Sequence, residues 1–61
     1  MRFRLFFIDD LTRRIVSMID FEAANTVEAL AFAEARREPS SMELWARGGL
    51  IKQWQSFPPG G

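Results

Sequence analysis

Cysteine and histidine are both missing from the 61 residues. Without them there are no disulfides, no thiolate or imidazole ligands, and no structural zinc site of the usual kind. The same two absences remove the commonest nucleophile and base pairs, so a catalytic site would have to be built from carboxylates or hydroxyls alone. An excess of either charge is missing too: eight Lys and Arg stand against eight Asp and Glu. No long-range field therefore steers the whole molecule to a polyanion or a membrane, and any electrostatic specificity is local. Long apolar runs are also lacking. The longest near the start, Leu5 to Ile8, is too short for the apolar segment of a signal peptide and far short of a membrane span. The expected location is the cytoplasm.

What remains is a chain long enough for one domain. At this length only about 60% of the surface exposed by the unfolded chain is buried, so stability rests on close packing and on association. From Arg2 to Ile8 most positions are aromatic or branched, as suits a strand. On a period of two, Phe3, Leu5 and Phe7 share one face, and Arg2, Arg4, Phe6 and Ile8 the other. Asp9 to Arg13 reads as a tight turn. A second strand follows from Arg14 to about Phe21, with Ile15, Ser17, Ile19 and Phe21 facing inward and Val16 and Met18 outward.

Asn25 is placed to cap a helix, with Glu28 three residues on reaching back as in a capping box. The helix is expected over Thr26 to Arg37, with Arg36 and Arg37 complementing its dipole and Pro39 closing the segment. A third strand spans Met42 to Arg47. Gly48 and Gly49 then form a hairpin turn, since both tolerate positive φ. The fourth strand runs from Leu50 to about Phe57, and Pro58 to Gly61 form a disordered tail. The expected architecture is α+β: a single ββαββ domain over residues 1–57, with a four-stranded antiparallel sheet and one helix packed on one face. A right-handed crossover from strand two to strand three, with the first strand between them, would give the order 2-1-3-4.

Three stretches carry a resemblance: Arg2 to Asp9 (RFRLFFID), Glu28-Ala29-Leu30 with Ala33, and Met42 to Ile51 (MELWARGGLI). Together they resemble a family of short bacterial proteins with a domain of unknown function and a ββαββ layout. Two departures stand out: the first turn lacks the glycine usual in that family, and Asn25 replaces a commonly acidic residue. The family has no established activity, so the resemblance implies the layout and no chemistry.

The chemical signals are few. Asp9 and Asp10 are adjacent and read as a solvated turn. Asp20 and Glu22 share a strand face, which suits either a solvated sheet edge or part of a cation site, although a hard ion needs more oxygens than two. Gly48-Gly49 opens no helix and so forms no phosphate loop. No catalytic residue, metal or cofactor is assigned, and the protein is read as a non-enzyme.

Two apolar surfaces stand out instead. Ala29, Leu30 and Ala33 make a sheet-facing helix stripe, while Val27, Ala31 and Ala35 mark a second stripe nearly opposite, with Phe32 at its margin. The second stripe fits helix propensity alone or a contact surface. On the sheet, alternation gives the outer face Phe6, Ile8, Val16, Met18 and Trp45, unless a register slip or bulge turns them inward. Arg2, Arg4, Arg14 and Arg47, with Lys52, share that face with Asp20, Glu22 and Glu43. The favoured reading is a protein-protein interaction module, a homodimer or a contact with a larger protein. Phe6, Val16, Met18 and Trp45 are its anchors, and Arg4 and Arg47 its rim. The alternative is a regulatory nucleic-acid binder that stacks bases on Trp45 and Phe6 and neutralises phosphates with the arginines.

Overall fold

A computed structural model describes residues 1–37 and 40–55. Strands β1 (Arg2–Ile8) and β2 (Ile15–Glu22) form one antiparallel hairpin, helix α1 (Thr26–Ala35) follows, and β3 (Ser41–Ala46) and β4 (Gly49–Trp54) form a second hairpin. Antiparallel pairing of β1 with β3 joins the hairpins into one sheet of order β2-β1-β3-β4. The ββαββ layout and the strand order are as the sequence implied. Pro39, the end of the fourth strand at Phe57 and the tail from Pro58 lie outside the described residues.

The core sits between α1 and one face of the sheet. Phe3, Leu5 and Phe7 of β1 meet Met42 and Leu44 of β3, Trp54 of β4, and Ala29 and Ala33 of the helix. Ala29 and Ala33 are four apart and fully buried, so the helix presents two methyl groups to the strands. Ile19, Phe21, Leu30 and Phe32 pack around that centre. At one margin, Phe21 stacks on Phe32 with ring centroids 3.9 Å apart and on Phe3 at 5.7 Å. The Arg36 guanidinium lies 3.6 Å above the Phe32 ring. Phe32 therefore belongs to the core margin and leaves Val27 and Ala31 exposed behind it. Each of the large core side chains contributes roughly 1.5–3 kcal/mol through removal from water.

Trp54 is a core residue that strand alternation alone did not single out. It is 6% exposed, and its indole Nε1–H donates to Glu34 Oε2 at 2.7 Å. Lys52 reaches the same carboxylate oxygen at 3.8 Å. This shared acceptor ties the last strand to the helix and satisfies a buried donor that would otherwise cost about 1–3 kcal/mol.

The ends of the helix follow from side-chain caps. Asn25 Oδ1 accepts from the Glu28 backbone at 2.9 Å, and Glu28 Oε1 reaches back to Ala24 N–H at 3.2 Å, one residue before the cap itself. The helix stops at Ala35, two residues before the expected Arg37. There the bonds from Arg36 N–H to Ala33 O and from Arg37 N–H to Glu34 O tighten the last turn. Arg36 also donates to Phe32 O, so its charge meets the free carbonyls at the helix terminus.

Both hairpin turns differ in detail from the expected ones. In the first, Arg13 takes the left-handed conformation at φ 59° that a glycine ordinarily supplies. Asp9 Oδ1 accepts from Leu11 N–H, and Asp10 Oδ1 accepts from Ser41 Oγ at 2.6 Å. The two aspartates thus organise the turn, and the second fastens it to β3 through a serine only 5% exposed. In the second turn, Arg47 and Gly48 are the central residues, and Gly49 is already the first residue of β4, paired with Ala46. Only Gly49 has positive φ, at 138°.

That asymmetry between the glycines is testable. A Cβ at either position meets nothing within 4 Å, so any cost is conformational. Gly49→Ala is expected to lower unfolding stability by about 1–3 kcal/mol in urea, because its φ lies where side-chain-bearing residues are strained. Gly48→Ala is expected to stay within about 0.5 kcal/mol of the parent. Equal losses would contradict the turn geometry. Asn25→Ala is expected to cost about 1 kcal/mol in the same assay through loss of the cap.

Candidate interaction surface

Cross-strand pairing lays the outer sheet face out in rungs. At one end Arg2 pairs with Glu22. The next rung runs Asp20, Arg4, Trp45, Leu50, and the one after it Met18, Phe6, Glu43, Gln53, each read across β2, β1, β3 and β4. At the far end Ile8 lies between Ile15 and Ser41. None of Phe6, Met18, Trp45 or Leu50 belongs to the core cluster beneath the helix. Among the described residues the only helix packs on the opposite face.

Three of the four predicted anchors, Phe6, Met18 and Trp45, lie on these two rungs, and Val16 lies beyond them without a cross-strand partner. Phe6 and Trp45 are half-buried, Met18 is 45% exposed and Val16 63%. Phe6 and Met18 are direct cross-strand partners. Trp45 is held by its indole N–H, which donates to Glu43 Oε1 at 3.0 Å, while Gln53 Nε2 donates to Glu43 Oε2 at 3.3 Å. The ring is therefore fixed in orientation, with its polar edge satisfied on the surface. Arg4 sits on this face, and its Nε donates to Asp20 Oδ1 at 2.8 Å. Arg47 does not share a rung with the anchors; it occupies the β3–β4 turn beside a shallow groove lined by Met1, Arg2, Ala46 and Gly48.

Three expected positions are corrected. Lys52 was expected on the outer face, yet it pairs with the buried Leu44 and reaches Glu34 of the helix. Ile15 was expected inward, yet it is 58% exposed. The register shifts between Phe7 and Ile8, where Phe7 pairs with Ser17 and Ile8 with Ile15, leaving Val16 as an extra residue in β2. Such a bulge puts two consecutive residues on one side of the strand, so Ile15 joins Val16 on the outer face. Ile8 was expected to be open on that face, yet it is only 7% exposed. As a central-strand residue it is flanked by neighbours on both sides. A second bulge sits in β4, where Leu44 pairs with Lys52 and Trp45 with Leu50, so that Leu50 joins Trp45 on the outer side. Simple alternation cannot find these changes of face, because each bulge resets its phase.

The charges of the face are largely spent within it. Arg2 lies 3.6 Å from Glu22, and Arg4 bonds Asp20. These exposed pairs contribute less than about 1 kcal/mol each to stability, but they match Arg2 and Arg4 with carboxylates on the same face. They also account for Asp20 and Glu22, whose carboxylates face arginines. Among the described residues no group of three or more acidic side chains is placed to hold a metal ion, and no helix is long and apolar enough to cross a membrane.

Exposure separates these residues energetically from the core. Val16→Ser and Met18→Ser are each expected to change the stability of the dilute protein by less than about 0.5 kcal/mol. Leu44→Ala, at a fully buried site, is expected to cost about 2–5 kcal/mol. Chemical denaturation at low protein concentration makes the comparison, and a large loss for the two surface changes would show that this face is part of the monomer core. Comparison with known proteins finds no matching family model, curated protein or solved structure, so the functional reading rests on the geometry of this surface.

Proposed function

We propose that the chain is a small, non-catalytic, cytoplasmic protein-interaction module that self-associates through its outer sheet face. The observation that carries this reading is the apolar set Phe6, Val16, Met18, Trp45 and Leu50 on a sheet face that no described helix covers. An antiparallel sheet with a solvated second face ordinarily carries polar residues there. Trp and Arg at the centre and margin of such a patch are the usual anchors of protein contacts.

The sheet edges support a contact through the face. Both bulges lie in the edge strands, at Val16 in β2 and Ile51 in β4, and both strands carry charged residues. Bulges and charges on edge strands impede pairing with another chain. The nucleic-acid reading loses weight because Arg2 and Arg4, two of its four cations, are held by carboxylates. Strand spacing and rise give a face roughly 20 Å on a side. Two copies would then bury on the order of 1,000 Å² in total, near the lower end for a specific interface, as suits a dimer that dissociates on dilution.

Sedimentation equilibrium tests the reading. The unmodified protein is expected to gain mass with concentration above the 7.0 kDa of one chain. Trp45→Asp and Met18→Asp are expected to hold it at the monomer mass and to remove any concentration dependence of the melting temperature. Variants that keep the parent's mass and melting behaviour would overturn the proposal. Salt-sensitive binding of single-stranded RNA by a strictly monomeric protein would replace it with the nucleic-acid reading.

A further inference from the structure

The two middle rungs of the outer face are mirror images in polarity. Read from β2 to β4, one runs charged, charged, apolar, apolar (Asp20, Arg4, Trp45, Leu50), and its neighbour runs apolar, apolar, charged, polar (Met18, Phe6, Glu43, Gln53). The apolar groups therefore lie along one diagonal of the face and the polar groups along the other. Resting on the self-association argued above, we infer that the second copy docks with its two-fold axis along the apolar diagonal, so that Arg4 of each chain faces Glu43 of the other.

Elimination of the other symmetric dockings leads to this arrangement. A two-fold axis parallel to the strands lays Phe6 and Met18 on Glu43 and Gln53 of the second copy. An axis across the strands lays Arg4 and Asp20 on Phe6 and Met18. Both desolvate charge against hydrocarbon with nothing in return. An axis along the polar diagonal matches apolar with apolar but sets Glu43 against Glu43 and Arg4 against Arg4. The apolar diagonal alone superimposes Phe6 and Trp45 on their own kind while exchanging the polar corners. Arg4 then meets a carboxylate, and Asp20 meets the Gln53 amide.

The valences suit this exchange. Each oxygen of Glu43 accepts one internal bond, from Trp45 or Gln53, and a carboxylate has about four acceptor positions, so about two remain. Arg4 uses only its Nε, on Asp20, which leaves both terminal amino groups of the guanidinium for a further carboxylate. The internal bonds pre-orient both partners, which lowers the ordering cost of contact. Rungs about 6.8 Å apart on strands about 4.8 Å apart incline the diagonal so that the strands of the two copies cross at about 70°, close to the orthogonal class of sheet packing.

Complementary charge reversal provides the test. Arg4→Glu and Glu43→Arg are each expected to be monomeric at concentrations where the parent dimerises, because each sets two like-charged pairs against each other. Mixed in equal amounts they are expected to form a heterodimer, since both contacts then join opposite charges. The chain has no cysteine, so single cysteines provide a second readout without repulsion. Arg4→Cys mixed with Glu43→Cys is expected to give an oxidised cross-link between the two variants, resolved by mass spectrometry. Arg4→Cys alone is expected to give none.

Circular dichroism verifies folding, and if a charge reversal unfolds the chain the cysteine pair decides. A parent that dimerises while the reversed pair fails to associate, or an Arg4→Cys protein that cross-links to itself, would overturn the docking geometry and leave self-association standing. A parent that is monomeric at every concentration would overturn both.

Discussion

Among the described residues, a single ten-residue helix shields one face of a four-stranded sheet and leaves the other without a helix over it. Everything distinctive about this protein follows from that imbalance, because the sheet is apolar on both sides. On the covered side, Ala29 and Ala33 of the helix join Phe3, Leu5, Met42 and Leu44 in one core. Trp54 closes that layer, with its one polar atom bonded to Glu34. On the uncovered side, Phe6, Met18 and Trp45 stand where a self-sufficient domain of this size would place polar groups.

The uncovered face is ordered rather than merely greasy. Trp45 is pinned through Glu43, Glu43 is shared with Gln53, and Arg4 is held by Asp20. Together these bonds present aromatic and aliphatic surface in a fixed arrangement, with Arg4 matched to Asp20 and Glu43 bonded by neutral donors. The sheet edges, by contrast, are bulged and charged, which discourages open-ended strand addition. These features fit the proposed closed contact through the face better than growth through the rim, the difference between a defined oligomer and a fibre.

Much of this design was legible in the residues themselves. Alternation in RFRLFFI placed Phe3, Leu5 and Phe7 on the covered face, Asn25 and Glu28 marked the start of the helix, and a crossover with the first strand in the middle matched the observed order. Of the residues proposed for contact, Phe6, Met18, Trp45 and Arg4 occupy adjacent rungs, whereas Arg47 lies apart in a turn. What alternation missed traces to places where its period breaks. Bulges at Val16 and Ile51 moved Ile15 and Leu50 to the outer side, and no local composition announced them. Arg13 in a left-handed conformation and the Asp10 to Ser41 bond were equally silent, because one depends on turn closure and the other on a contact 31 residues away. Pairing of Arg2 and Arg4 with Glu22 and Asp20 required the register, and it matched two of the arginines on this face with carboxylates.

On the proposed self-association, the second sheet face is sheltered by another molecule of the same chain. Methyl resonances followed through a dilution series test it most directly, since Val16 and Met18 report on the outer face and Val27, 75% exposed on the helix, reports on the opposite side. Shifts of Val16 and Met18 with concentration, while Val27 stays fixed, are the predicted result. Spectra unchanged from the highest to the lowest concentration, or shifts confined to Val27, would contradict it.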